Sequence, residues 1–314
     1  MRLILVALGL ILAVAKPTGA AETLITILTG STSGIYYPLG TALSSIDAKV
    51  IPGANITVQA TAGSVQNLRL LEANDGELAF TLGDCLADAW AGNKDAGFDA
   101  PFTKLRAIAR IYPNFIQIVA SNRSQIKTLA DLKGKRVSVG AEGSGTALNA
   151  AVIFKAAGFT FNDLAMVDQT PFASSVRSVE QGSLDATLQS AGLGVESIRH
   201  LLASGQSTLI PIPSDIVARI DSAVYIAATI PAGTYDGQSG DVQTASVPNF
   251  LVTREGVSDD VAYQMTKSLF EHLDQLVQTQ PAAKDIDVKK AATDLPIPLH
   301  PGAERYYREI GVLK

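Results

Sequence analysis

Residues that carry chemistry are scarce in this chain of 314 amino acids. Cys85 is the only cysteine, so no disulfide can close within the chain, and the residue reads as a small buried apolar side chain. The three histidines, His200, His272 and His300, are scattered, which leaves no ligand spacing for a structural zinc site. G-x-S-x-G, Walker A, G-x-G-x-x-G and H-E-x-x-H are all absent, and Leu148 stands where the run begun by Gly143-Ser144-Gly145 would need a third glycine to bind a dinucleotide. No catalytic residue, metal or cofactor is therefore expected. Charge is sparse too, at 18% of residues, and acidic side chains outnumber basic ones by 30 to 25, which disfavours nucleic acid as a partner.

The longest apolar run is Leu3 to Ala15, short for a membrane span. With Arg2 before it and Lys16-Pro17-Thr18-Gly19-Ala20-Ala21 after it, residues 1–21 have the layout of a secretory signal peptide cleaved near Ala20 or Ala21. Cleavage removes two positive charges and takes the formal charge from −5 to −7. No cysteine marks a lipid anchor at that boundary, so a soluble periplasmic product is expected. The remaining length, at 47% hydrophobic residues overall, suits two well-buried lobes.

The stretch Thr29-Gly30-Ser31-Thr32-Ser33-Gly34 follows the strand-like Leu24 to Leu28 and opens a helix whose apolar face repeats Tyr36, Leu39, Leu43 and Ile46. Glycines allow a tight turn, hydroxyls supply uncharged donors, and the helix start favours an anion. The construction recurs. Strand Asn55 to Gln59 leads through Thr61-Ala62-Gly63 to a helix with Ser64 as its expected N-cap, and strand Leu78 to Leu82 leads to a helix with Asp84 as its expected cap. After two apolar runs around Pro113-Asn114, read as the first crossing between lobes, the second lobe repeats the pattern at Gly143-Ser144-Gly145-Thr146, Gln169 to Ser175 and Gln189 to Gly194. Val224 to Ile230 reads as the return crossing, Ser246 to Thr253 as a strand rejoining the first lobe, and the stripe Val261, Met265, Leu269, Leu273, Leu276 as one core-facing helix from Ser258. Alternating strands and helices predict an α/β fold of two lobes with ligand loops beyond the carboxyl ends of the strands. The expected boundaries are 22–114 for the first part of lobe 1, 115–223 for lobe 2 and 224–314 for the return with C-terminal helices.

Several of these motifs, in order along the mature chain, resemble the TAXI family of TRAP transporter receptors. They are Thr29 to Gly40, Gln59 to Asn67, Leu132 to Gly140 with Ser144-Gly145-Thr146, Ile230 to Tyr235, and the C-terminal Leu295 to Gly302 with Tyr306-Tyr307-Arg308-Glu309. The resemblance implies a type II periplasmic-binding-protein fold in which two α/β lobes, joined by crossing strands, hold a ligand cleft between them. It also implies capture of a small anionic or zwitterionic solute such as glutamate, glutamine or 2-oxoglutarate, delivery to the small and large TRAP permease subunits, and no catalysis. A monomer is expected. Carried onto this sequence, the family's cleft falls on Ser31, Thr32, Gly34, Tyr36, Thr61, Ser64, Asn67, Asp84, Ser144, Gly145, Thr146, Ala191 and Gly192. Ser31 and Ser33 stand where family members usually have glycine, and Leu82 where they have a polar residue. The alternative is an exported hydrolase or transferase that uses a loop serine on the same fold.

Overall fold

The computed structural model describes residues 23–314, so the expected signal peptide lies outside the described residues. Three strand–helix units come first: β1 (Thr23–Leu28) with α1 (Tyr36–Val50), β2 (Ala54–Gln59) with α2 (Ser64–Glu72), and β3 (Leu78–Leu82) with α3 (Gly83–Ala91). The long strand β4 (Leu105–Ser121) then leads to β5 (Arg136–Ser138) with α4 (Gly145–Ala156), β6 (Met166–Asp168) with α5 (Phe172–Gln181), and β7 (Ala186–Ala191) with α6 (Glu196–Ala203). β8 (Ser207–Ile210), the short α7 (Ser214–Val217), β9 (Ile226–Ile230) and β10 (Val242–Arg254) follow. Helices α8 (Asp259–Glu271), α9 (Leu273–Thr279) and α10 (Pro301–Glu309) close the chain.

The strands form one continuous sheet in the order β2-β1-β3-β10-β4-β7-β5-β6, with β8 on β4 and β9 on β10. Its two ends are the parallel parts of the two lobes, β2-β1-β3 and β7-β5-β6. Between them β4 and β10 run antiparallel. The first half of β4 faces β10, while its second half, from Phe115, faces β7 and then β8. Apolar residues cover both faces of the sheet. Leu39, Leu43 and Ile46 of α1 join Met265 and Leu269 of α8 and Tyr306 and Tyr307 of α10 on one side. Leu68 and Leu71 of α2 join Leu86 of α3 and Ile153 and Phe154 of α4 on the other. Near-continuous apolar strands buried on two faces are what a parallel α/β sheet requires. Cys85 is a free, fully buried thiol in the second of these layers.

Three sequence expectations change, while the first crossing read around Pro113-Asn114 is the single strand β4, in which Pro113 faces Pro248 across the β4–β10 ladder. Neither proline has an N–H to lose, so both interruptions fall at one place and β4 passes through unbroken. The return crossing is β10 itself, and Val224 to Ile230 instead supplies the edge strand β9 paired to it. Gln189-Ser190-Ala191 is the end of strand β7, where a loop was expected. The apolar stripe after Ser258 is two helices, broken at His272, although Ser258 does cap the first by accepting the Val261 N–H.

Asp47 is the costly residue in this packing. It lies on the α1 face that carries Leu43 and Ile46, is fully buried, and neither carboxylate oxygen has a hydrogen-bond partner among the described residues. Burial pushes its pKa up to about 7. A folded-state value raised above the unfolded one means the penalty is absent below pH 4, grows from there, and is complete above pH 7. Its full size is on the order of 4 kcal/mol. Asp47→Asn is expected to raise the melting temperature by several degrees at pH 8 and to leave it nearly unchanged at pH 4. Thermal denaturation at the two pH values checks this, and an equal shift at both would exclude the charge as the cause.

Candidate functional site

Each βα turn of the first lobe ends a strand on the same edge of the sheet, and those of the second lobe face them. Gly30, Ser31, Ile35 and Tyr36 at the start of α1, Thr61 to Ser64 at the start of α2, and Leu82 at the end of β3 form one wall of a cavity. Ala141 and Ser144 to Thr146 at the start of α4, Pro171 and Phe172 at the start of α5, and Ser190 and Ala191 at the end of β7 form the other. Tyr112 and Asn114 on the crossing strand β4 also line it. The space between the walls is about 600 Å³ when the open solvent at its mouth is included.

The two walls touch. The Gln66 N–H of α2 donates to the Gly143 carbonyl at 3.0 Å. At Gly145, the first residue of α4, a Cβ would lie 2.6 Å from Leu82 Cδ1 and 2.8 Å from Ser64 Oγ, so a side chain here would force those groups to shift. Gly63 has φ of 119°, a conformation that side chains disfavour, and its open side meets Ser144.

Of the residues singled out from sequence, Ser31, Tyr36, Thr61, Ser64, Ser144, Gly145, Thr146 and Ala191 line this cavity. Thr32, Gly34, Asn67, Asp84 and Gly192 do not. Thr32 is exposed, and Gly34 packs near the Phe172 ring. Gly192 permits close packing, since a Cβ there would lie 2.7 Å from Ile35 Cδ1. Asn67 is buried and ties strand ends together: its amide donates to Thr29 O at 2.6 Å and Phe80 O at 2.8 Å, and its oxygen accepts from Thr61 Oγ1 at 2.6 Å. The caps expected at Ser64 and Asp84 are not made. Gly63 and Leu82 hold those cap positions, and Ser64 Oγ instead accepts the Leu82 N–H at 3.0 Å, which joins α2 to the end of β3. Ser144 does cap α4, accepting from the Ala147 N–H at 3.1 Å, and its own proton is left to face the cavity. Tyr36 stacks on Phe80 at 5.1 Å and donates its hydroxyl to Asn249 Oδ1.

No lysine, arginine, histidine, aspartate or glutamate lines the cavity. Arg69 donates to the Gly97 carbonyl and Arg110 lies 3.7 Å from Asp294, so both basic side chains weighed as counter-charges serve elsewhere. What the walls do offer is hydroxyls, one carboxamide, and the first N–H groups of helices, which have no intrahelical partner and lie at the positive dipole end. Tyr112, Asn114 and Ser190 also line the cavity and were not selected from sequence. Tyr112 and Asn114 stand in the apolar crossing, where the break Pro113-Asn114 was the signal available, and Ser190 lies in the stretch Gln189 to Gly194 that reads as a ligand loop, from which only Ala191 and Gly192 were selected.

Behind the cavity lies a buried polar chain. Ser190 Oγ donates to Asn149 Oδ1 at 2.7 Å, Asn149 Nδ2 donates to Asp84 Oδ2 at 2.6 Å, and Tyr225 donates to the same oxygen at 2.5 Å. Asp84 Oδ1 has no partner among the described residues. Burial raises the Asp84 pKa above the usual carboxylate range, opposed by the Tyr225 hydroxyl. None of the cavity serines has a base beside it: Ser31 meets Ser33, Ser64 and Ser144 accept backbone N–H groups, and Ser190 donates to an amide. The buried His300 is held by backbone at Val257 and Gly302, and no group of three or more histidine, cysteine, aspartate or glutamate residues suited to a metal occurs among the described residues.

A model of the NMT1-like family matches residues 27–311. Among solved structures, the alkanesulfonate-binding protein SsuA of Xanthomonas axonopodis pv. citri, bound to MOPS, aligns at a TM-score of 0.50 and 16% identity over 92% of this chain and 85% of that one. A protein of Bordetella bronchiseptica RB50 aligns at 0.59 and 13% identity over 92% and 98% of the two chains. A periplasmic transporter aligns at 0.58 and 10% identity over 94% of each. At such identities the likeness is one of fold, and the fold is that of periplasmic binding proteins.

Removing the Tyr225 hydroxyl tests the buried chain. Asp84 destabilises the folded form increasingly as pH rises from the ordinary carboxylate value towards its raised one, and losing a donor moves that value higher still. Tyr225→Phe is expected to cost about 1–3 kcal/mol in urea denaturation, with a larger deficit at pH 8 than at pH 5. A deficit independent of pH would mean that Asp84 does not sense Tyr225.

Proposed function

The chain belongs to the NMT1-like family, and on that footing we propose that it is an exported, non-catalytic solute receptor that closes two lobes on a small carboxylate or amino acid and presents it to a membrane permease. The observation that carries this reading is the single cavity walled by helix starts from both lobes. Hydrogen bonds to a charged group contribute roughly 1.5–3 kcal/mol each, whereas micromolar binding needs about 8 kcal/mol. One βα turn is too little, and turns from opposing walls together are enough. Exclusion of water between them strengthens each bond. That SsuA carries MOPS, an organic sulfonate, supports an anion in a cleft of this fold.

The TAXI-type motifs make a TRAP permease, with its small and large subunits, our reading of the membrane partner. The N-terminal layout makes the periplasm our reading of the location, with the lobes divided near residues 114 and 223. The ligand contacts we assign are the sequence-selected residues that line the cavity, from Ser31 to Ala191, with Asn67 supporting Thr61 from behind. The absence of a base beside any cavity serine favours binding over an exported hydrolase.

Closure is tested at Gly145. With a larger side chain there, α4 can approach only if Leu82, Ser64 and Cys85 give way. A thermal-shift and calorimetric screen of dicarboxylates, monocarboxylates and amino acids is expected to give a binder to the native protein. Gly145→Val is expected to weaken that binder at least tenfold, with unfolding of the ligand-free protein still cooperative. Undiminished binding by Gly145→Val would remove closure from the mechanism. Turnover of an ester or amide, lost on Ser144→Ala, would replace the receptor by an enzyme.

A further inference from the structure

Four asparagines are buried among the described residues, Asn67, Asn114, Asn149 and Asn249, and three of them have both ends of the carboxamide bonded. Asn67 donates to Thr29 O and Phe80 O and accepts from Thr61. Asn149 donates to Asp84 and Tyr225 and accepts from Ser190. Asn249 donates to Tyr112 O and accepts from Tyr36. Asn114 is the exception. It is 2% exposed, and no group among the described residues hydrogen-bonds its side chain. Its oxygen and nitrogen are nevertheless not closed off as the Tyr112 hydroxyl is, and the little surface that Asn114 keeps lies on the cavity.

A carboxamide carries an acceptor oxygen and two donor hydrogens, and taking it out of bulk water is unfavourable unless another group meets them. Here the cavity's occupant is the partner left. The position of Asn114 matters too. It pairs with Val247 in the β4–β10 ladder, next to the facing Pro113 and Pro248, and so is carried by the crossing and by neither wall. The helix starts of α1 and α2 on one side, and of α4 and α5 on the other, must come together before they can act on one solute. Asn114 needs no such approach.

We propose that Asn114 is a ligand contact at the floor of the cavity, that its amide donates to a carboxylate oxygen of the solute, and that this bond forms before the walls meet. The inference rests on the receptor reading above and adds to it a residue and an order of events. Because neither end of the carboxamide is committed, the side chain is free to present its NH2 group. Closure then brings the N–H and hydroxyl groups of both walls onto a solute already held.

Asn114→Leu and Asn114→Asp keep the branching and the number of heavy atoms of the side chain, so they alter its chemistry and not its shape. Titration calorimetry with glutamate, glutamine and 2-oxoglutarate is expected to find a binder to the native protein. Asn114→Leu is expected to weaken that binder about tenfold or more. Asn114→Asp is expected to weaken it about a hundredfold or more, because a carboxylate at this position repels the one it should hold. The ligand-free melting temperature of Asn114→Leu is expected to be unchanged or higher, since no hydrogen bond is lost. In a Gly145→Val background, where the walls are hindered from meeting, weak binding is expected to remain and Asn114→Leu to reduce it by a similar factor. A lower ligand-free melting temperature for Asn114→Leu, or an affinity that either variant leaves intact, overturns the ligand contact and leaves the receptor reading standing. Loss of all binding in Gly145→Val, or an Asn114→Leu effect that vanishes there, overturns the order of events. Binding of none of the three solutes to the native protein removes the small-carboxylate reading and this inference together.

Discussion

Because β4 and β10 each run through both lobes, the position of every cavity residue is referred to one antiparallel ladder. β3 of the first lobe pairs directly to β10, and β7 of the second pairs directly to β4. The ladder is interrupted where Pro113 meets Pro248, and its register shifts between Pro248 and Phe250. Neither proline can donate, so the strands are held least firmly where they pass from one lobe to the other. Asn249, between these two residues, offsets the loss by donating to Tyr112 O at 3.0 Å and accepting from the Tyr36 hydroxyl. The same few residues therefore weaken the crossing and orient two aromatic rings of the cavity.

A cavity with no charged side chain sets a condition on whatever fills it. Lysine or arginine would hold an anion whether or not the walls met, since a full charge acts over several ångströms even near water. Hydroxyls and helix N–H groups act only at contact and are weak in solvent. Their use from opposing walls makes strong binding depend on closure, which couples occupancy to shape.

Much of this was legible in the sequence, and the limits have physical causes. The βα turns announce themselves by glycine and hydroxyl clusters after short apolar strands, and the structure gathers Ser31, Thr61, Ser144 and Thr146 into one wall system as those clusters imply. The capping roles of Ser64 and Asp84 were misread because N-cap preference is local, whereas both side chains are claimed by distant partners: Leu82 N–H for one, Asn149 and Tyr225 for the other. Tyr112 was invisible for a different reason. A polar residue within a strand gives no local sign of facing a cavity, and only the meeting of the lobes creates that cavity.

Asp84 shows how closure and its cost are linked. Its carboxyl sits on α3 of the first lobe, and one of its donors, Asn149, sits on α4 of the second. Were the lobes to part, Asp84 would lose that donor and gain water, and its pKa would fall back towards the ordinary value. Bringing them together desolvates a carboxyl whose second oxygen finds no partner, so closure without a ligand works against itself. The unpaired Tyr112 hydroxyl adds to that cost in the empty closed form. Two unsatisfied groups on the same side of the balance disfavour the closed form while the cavity is empty.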